Sequence, residues 1–217
     1  CSAHPDIESL DINPLIVRSD GSLVAVDALV VNQDSSITKG ADDAQSFKPQ
    51  RCHFDALFNP RAIVVIGASS HPGKFGFVSL HNAIVNNFGG EIFATNLQRE
   101  NVLGVQTVAD LSELPVGQID LAFFCTPSSI NEELLRQCAE LGITSAFIAS
   151  AGYRETGDSG EIAERSLLRL ANSLNIMIAG PNGQGIVSTP VSLCLQIVAP
   201  YPPRGAVSYT HLRAHET

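Results

Sequence analysis

Basic residues are scarce in this chain: 13 Lys and Arg stand against 22 Asp and Glu, for a formal net charge of −9. Such an acidic balance gives no electrostatic footprint for nucleic acid or for an anionic membrane. Any anionic ligand must be held by local dipoles and a few cations. Long apolar runs are missing too: none approaches the roughly 20 residues that span a bilayer, and no signal peptide is visible. The cysteines (Cys1, Cys52, Cys125, Cys138 and Cys194) are odd in number and form no C-x-x-C pair. A disulfide framework and a zinc ribbon are therefore excluded in favour of reduced, mostly buried thiols in a cytoplasmic protein. G-x-G-x-x-G is absent, as are internal repeats and low-complexity tracts. The chain opens on Cys1 rather than Met and reads as a fragment.

What remains is ordinary globular material. With 217 residues, 44% of them apolar and 16% charged, the chain holds one full domain plus a piece of another. Its organising stretch is Ala62 to Gly76. Five apolar residues run into Gly67 and a loop of small residues, and a helical pattern follows from about Phe77. A continuous apolar run of this kind suits a strand buried on both faces of a parallel sheet. A loop leaving such a strand for a helix N-terminus offers unpaired N–H groups and the positive end of the helix dipole to an anion. Gly67 allows a sharp turn and close approach of a ligand, and Ser69 and Ser70 add hydroxyl donors. The glycines at 67, 73 and 76 do not have dinucleotide-fingerprint spacing, and the loop is longer.

Residues 1–31 read as the tail of another domain. Asp11 to Val17 and Leu23 to Val30 are strand-like, and Ser19, Asp20 and Gly21 between them fit a three-residue hairpin loop. That register sets Asn13 opposite Asp27 on one face. An amide oxygen and a carboxylate, with waters and nucleotide phosphates, are typical Mg²⁺ ligands. Spacing alone favours the plainer reading, in which Asn13 starts a turn and Asp27 is a solvated strand residue. Residues 32–53 are polar and read mainly as a linker.

From 62 to about 180, strands at 62–66, 91–95, 119–125, 144–149 and 175–179 alternate with helices at 77–88, 130–141 and 160–174. Ser129 and Glu132 suggest a capping box for the middle helix, and Gly142 stops it. Regular alternation predicts an α/β fold: a doubly wound, five-stranded parallel sheet, Rossmann-like, in strand order 3-2-1-4-5, with a short β-hairpin before it. Ligands of such sheets bind beyond the carboxyl ends of the strands. Those ends carry Gly67 to Ser70, Asn96 to Arg99, Cys125 to Ser128, Ser150 to Gly152 and Gly180 to Gly183. The second strand ends without the acidic residue that a bound NAD uses for its ribose. It offers Arg99, either a cation for an additional phosphate or an exposed loop charge. Residues 181–200, rich in proline, read as an extended segment leaving the domain.

Five motifs in order then resemble the CoA-binding domain of NDP-forming acyl-CoA synthetases. They are Ile66-Gly67-Ala68-Ser69-Ser70; Val102-Leu103-Gly104; Cys125-Thr126-Pro127; Ser150 to Tyr153 followed by Glu155-Thr156-Gly157; and Ala179-Gly180-Pro181-Asn182. That group includes ADP-forming acetate–CoA ligase, with the succinyl-CoA synthetase α subunit as a relative. The resemblance implies domains at 1–31 (the end of an ATP-grasp domain), 54–205 (CoA-binding) and 206–217 (the start of a further domain). It also implies CoA contacts from Gly67, Ala68, Ser69, Ser70, Gly76, Arg99, Thr126, Pro127, Ser150, Ala151, Gly152, Pro181 and Asn182.

Asp11-Ile12-Asn13-Pro14-Leu15 and Val26-Asp27-Ala28 are similar to that family's Mg²⁺–nucleotide motifs, which reverses the reading of Asn13 and Asp27. The implied reaction exchanges acyl-CoA, ADP and phosphate for acid, CoA and ATP through an acyl phosphate and a phosphohistidine. The phosphohistidine belongs to a domain absent from these residues, so no catalytic residue is expected here and the fragment alone should turn nothing over. The intact enzyme is expected to be an oligomer acting on CoA and a carboxylic acid.

Two departures stand out. Gly183 and Gln184 follow Gly-Pro-Asn where the family often has Cys or Thr. Residues 209–217 resemble translated sequencing-adapter read-through rather than the family's continuation, and His211 and His215 in that tail are not read as a metal pair. The alternatives are a protein-lysine acetyltransferase relative, a non-catalytic CoA or nucleotide sensor and, against the missing fingerprint, an NAD-linked oxidoreductase.

Overall fold

A computed structural model describes residues 7–12, 15–17, 22–25, 28–32 and 47–197. The chain divides into two compact units, with the boundary between Ser46 and Phe47. In the first, β1 (Ile7–Ile12) pairs antiparallel with β4 (Ala28–Asn32), and β2 (Leu15–Val17) pairs with β3 (Leu23–Ala25). Ile12 faces Ala28 and Val17 faces Leu23, on the register expected from the sequence. Asn13, Asp27 and the Ser19 to Gly21 loop lie outside the described residues.

The second unit begins with α1 (Arg51–Phe58), whose first three residues the sequence reading left to the linker. His53 Nδ1 accepts the backbone N–H of Gln50 at 2.9 Å, closing the first turn. Then come β5 (Ala62–Ile66), α2 (Phe75–Val85), β6 (Glu91–Thr95) and a small hairpin of β7 (Asn101–Val102) and β8 (Val105–Gln106). Leu103 and Gly104 both have positive φ there, +52° and +89°, as a two-residue hairpin turn needs. A one-turn 3₁₀ segment (Leu111–Glu113) leads to β9 (Leu121–Phe124), α3 (Ser128–Glu140), β10 (Ser145–Ile148), α4 (Asp158–Ser173) and β11 (Met177–Ala179). A second hairpin closes the unit, β12 (Gly185–Ser188) against β13 (Leu193–Gln196).

The central sheet is five-stranded and parallel, as expected, but its order is β6-β5-β9-β10-β11. In strand numbering this is 2-1-3-4-5 rather than 3-2-1-4-5. The reason lies in polarity. Leu121 to Phe124 is buried throughout, whereas Glu91 is exposed and its two neighbours only half-buried. The wholly apolar strand takes a central place beside β5, and the strand with a charged start takes the edge. From β6 the chain must cross over β5, and it does so with the β7–β8 hairpin and the 3₁₀ turn instead of a helix.

Alternate residues of each strand point to opposite faces, and two cores follow. Val64, Ile66, Phe124 and Ile148 pack against Leu135 and Cys138 of α3 and Leu167 and Ala171 of α4. Ile63, Val65, Phe123 and Phe147 pack with Leu57 of α1, Leu80 and Ala83 of α2, and Ile186, Leu193 and Leu195 of the β12–β13 hairpin. The proline-rich end is thus not an extended exit: part of it is a wall of the core.

All three helices that the sequence reading placed begin two residues earlier than expected. α2 begins at Phe75, so Gly76 lies inside the helix. α3 has Pro127 at its N-cap, with φ −57°, which moves Ser129 into the first turn, where it cannot form the expected capping box with Glu132. At the other end Gly142, φ +78°, stops α3 as expected, the Ile143 N–H bonding back to the Cys138 carbonyl at 3.0 Å.

Candidate functional site

The crossover leaves a crevice between β5 and β9 at the carboxyl edge of the sheet, where the chain parts to either side. A cleft of about 280 Å³ opens there. Ile66, Gly67 and Ala68 form its floor; Thr95 to Gln98 form one wall, and Thr126, Pro127, Ile130 and Leu134 the other. No lining residue is charged, and most are apolar. This suits a flat, weakly polar group, with anions held outside.

The floor is tightly built. Gly67 has φ +84°, and a β-carbon there would stand 3.0 Å from the Thr126 methyl. The Gly67 N–H donates to Thr95 Oγ1 at 3.1 Å and the Ala68 N–H to the Thr95 carbonyl at 2.9 Å. Asn96 Nδ2 donates to the Ala68 carbonyl at 2.9 Å. The polar groups at the end of β6 are therefore spent on holding the loop after β5. Gly76, in the first turn of α2, presses against the Gly67 carbonyl, leaving no space for a side chain.

Of the residues singled out in the sequence, Gly67, Ala68, Thr126 and Pro127 line the cleft. Ser69 and Ser70 lie beyond its rim; Ser69 Oγ accepts the His71 N–H at 3.1 Å. The start of α2 has Lys74 at its N-cap and no acidic residue in its first turn, leaving the positive helix end unopposed by its own sequence. Arg99 does not line the cleft. Its guanidinium bonds Glu113 Oε2 at 2.6 Å, which holds the Glu113 carboxyl below the usual range. Glu113 Oε1 is itself held by the N–H groups of Ala109 and Asp110, at 3.2 and 3.1 Å.

Ser150, Ala151, Gly152, Pro181 and Asn182 form a second group beyond β10 and β11. There the Asn182 N–H donates to the Ser150 carbonyl at 3.1 Å. Asn131 and Tyr153 join the two groups; the sequence reading missed Asn131 and had Tyr153 only as part of a motif. Asn131 shares the buried face of α3 with Leu135 and Cys138, at positions i, i+4 and i+7. An amide in that stripe is the signal that was available.

Cys125 closes the deep end of the cleft. Burial pushes its thiol up to about 12, against a lesser opposing effect of Ser79 Oγ at 3.6 Å. Burial raises Cys138 as well. The thiolate is the reactive form, so at pH 8 iodoacetamide should label exposed Cys52 at least about tenfold faster than Cys125 or Cys138. Peptide mass mapping checks this, and equal labelling of Cys125 would mean its pocket is open to solvent. Among the described residues, no group of three or more His, Cys, Asp or Glu could hold a metal ion, and no helix is long and apolar enough to cross a membrane.

Residues 61–189 match the family described as the CoA binding domain. The α subunit of ADP-forming acetate–CoA ligase II of Pyrococcus furiosus is 37% identical over 139 residues, covering 64% of this chain and 30% of that protein. ADP-forming acetate–CoA ligase II of Archaeoglobus fulgidus is 32% identical over 183 residues, covering 84% of this chain and 26% of that protein. Among solved structures, dinucleotide-forming acetyl-coenzyme A synthetase 1 of Ca. Korarchaeum cryptofilum, in complex with phosphate and ADP, superposes with a TM-score of 0.63 at 29% identity, covering 67% of this chain and 31% of that one. The chain thus spans less than a third of the length of the curated relatives it matches.

Proposed function

The chain belongs to the CoA binding domain family, and on that premise we propose that it is the CoA-holding part of an ADP-forming acyl-CoA ligase. The parent enzyme would interconvert acyl-CoA, ADP and phosphate with acid, CoA and ATP. The observation that carries this reading is the uncharged cleft at the β5–β9 crevice, set beside a helix N-terminus that bears Lys74 and no acid. The nucleoside of CoA fits the apolar walls. Its phosphates fit the Gly67 to Gly76 loop, where backbone N–H groups and the helix dipole favour negative charge. The pantetheine arm would run past Thr126 and Pro127 toward Ser150, Ala151, Gly152, Pro181 and Asn182. When bound, CoA supplies the thiol that carries the acyl group; these residues bind and orient it.

Arg99 would read a further phosphate of CoA by leaving Glu113 or by sharing it. Residues 1–31 would end an ATP-grasp domain, with Asn13 and Asp27 holding Mg²⁺ and ATP or ADP, and residues 54–205 would be the CoA-binding domain. The reading that the intact enzyme is oligomeric rests on the same resemblance, and the reading that it is cytoplasmic rests on its odd number of cysteines without a C-x-x-C pair. Commitment of Thr95 and Asn96 to the loop, with no carboxylate beside them in the cleft, argues against an NAD-linked oxidoreductase.

Calorimetric titration with CoA, dephospho-CoA and NAD in parallel tests the proposal. CoA should bind and NAD bind more weakly or not at all; tighter binding of NAD would overturn the ligase reading. A charge-assisted hydrogen bond contributes about 1.5–3 kcal/mol. Dephospho-CoA should therefore bind about tenfold or more weakly, and Arg99→Ala should erase that difference. Equal affinities for CoA and dephospho-CoA in the unaltered chain would remove Arg99 from the site.

A further inference from the structure

We propose that Asn131 is a positioning residue that locks together the two ligand-facing loops, Cys125 to Pro127 after β9 and Ser150 to Tyr153 after β10. Filling the cleft is then felt at Ser150 and Tyr153. The inference rests on the reading that the cleft takes CoA. It deepens that reading by naming the group that joins the nucleotide end of the site to its far end.

Asn131 is 0% exposed, in a stripe where a leucine would be the ordinary choice. An amide is costly there unless it is fully bonded. It is: Nδ2 donates to Ser150 Oγ and to Tyr153 Oη, each at 2.8 Å, and Oδ1 accepts from Thr126 Oγ1 at 2.8 Å. Counting groups fixes the orientation of the amide. As placed, both N–H groups have acceptors and the carbonyl has a donor. Turned by 180°, Nδ2 would face only the Thr126 hydroxyl, and one buried N–H would lose its acceptor.

Three consequences follow for the loops. The Thr126 hydroxyl is tied to α3, which leaves its methyl beside Gly67 at the cleft floor. The same amide fixes Ser150 and buried Tyr153 on the neighbouring strand end. The first turn of α3 also meets that second loop directly, because a β-carbon on Gly152 would stand 2.5 Å from Ser128 Oγ. From the other side Glu155 Oε1 accepts the Gly152 and Tyr153 N–H groups at 2.5 and 3.1 Å. A displacement of Thr126 by ligand therefore has a hydrogen-bonded route to Ser150 and Tyr153 through the Asn131 amide, beside the Ser128–Gly152 contact. A double-mutant cycle measures how far such a bridge couples the groups it joins.

The test uses the full chain with Thr126→Val, Tyr153→Phe and Asn131→Leu. Among the described residues no hydrogen bond joins Thr126 to Tyr153 directly. Without ligand, the effects of Thr126→Val and Tyr153→Phe on the unfolding constant should be non-additive by threefold or more. In the Asn131→Leu background they should be additive. With CoA, at a temperature where every variant is folded, Asn131→Leu should weaken binding tenfold or more, and Tyr153→Phe should weaken it severalfold only while Asn131 is present. A lowered melting temperature with unchanged CoA affinity would make Asn131 merely structural and overturn the proposal, as would additivity in the unaltered background. Should Asn131→Leu fail to fold, Tyr153→Phe alone decides: unchanged CoA affinity overturns the proposal. If the unaltered chain binds no CoA, the functional reading falls, while the ligand-free cycle still decides whether Asn131 couples the loops.

Discussion

Gly76→Ala should lower the melting temperature by several degrees and weaken CoA binding tenfold or more. The added β-carbon would overlap the Gly67 carbonyl oxygen and come within 2.9 Å of Ala68 Cα. Both are backbone atoms of the loop that floors the cleft. That loop is pinned by Thr95 and Asn96 through three hydrogen bonds of 2.9 to 3.1 Å, so it has little freedom to retreat. Either α2 tilts away or the floor is pushed into the cleft. Overpacking of this kind costs about 1–3 kcal/mol, or about 2–4 °C per kcal/mol for a unit of this size. The affinity should fall as well, because the atoms displaced line the cleft proposed to take CoA.

Gly117→Ala is the control. Gly117 has φ +75° with nothing near its missing β-carbon, and it precedes β9, at the opposite edge of the sheet. It should cost about 1–2 kcal/mol of backbone strain with CoA affinity retained. Differential scanning calorimetry and titration on the same samples separate the two effects. A Gly76→Ala chain that binds CoA as the unaltered chain does would show that the α2–loop contact does not shape the site.

Leu193→Ala should destabilise the unit strongly, by about 2–5 kcal/mol and a fall in melting temperature on the order of 10 °C. Leu193 begins β13, is 0% exposed, and belongs to the core shared by α1, α2 and one face of the sheet. Asn82 of α2 ties the same strand down by donating to the Gln196 carbonyl at 2.9 Å. The surrounding β-strand and helix backbones are fixed by their own hydrogen bonds, so the cavity left by three missing carbons can collapse only in part. The hairpin does not line the cleft, and CoA affinity of the folded variant should stay within about threefold. Urea unfolding followed by circular dichroism reads the stability. A loss below about 1 kcal/mol would mean that the hairpin is an appendage and not part of the core.

Much of this was legible from local pattern. Ala62 to Ile66, Leu121 to Phe124 and Ala146 to Ile148 are apolar runs bounded by small or turn-forming residues, and such runs become parallel strands wherever helices alternate with them. Gly67, Thr126 and Pro127 could be set at the ligand edge for the same reason: in a parallel sheet every strand ends on one side. The motif order pointed to the family through those residues. Where a boundary moved, a neighbouring residue decided it, as when Pro127 took the N-cap that Ser129 had seemed to offer.

The rest depended on partners far away in the chain. Whether the second or the third strand sits beside the first is a competition for the driest place in the sheet, settled by the exposed Glu91 against the buried Leu121 to Phe124. Prolines at 181 to 203 read as an exit because nothing local shows that Leu193 and Leu195 will find α2, more than a hundred residues earlier. Arg99 reads from the sequence as a loop cation with no assigned partner, and only the fold sets Glu113 2.6 Å from it. Asn131 looked like one more helix residue until the fold set Thr126, Ser150 and Tyr153 around its amide. Periodicity and turn chemistry are properties of neighbouring residues, and they determined the five parallel strands, the three helices among them and the edge where the candidate-site loops lie. Strand order, the burial of the last hairpin and the bonding of each polar side chain are set by which surfaces meet after collapse, and only the tertiary structure decided them.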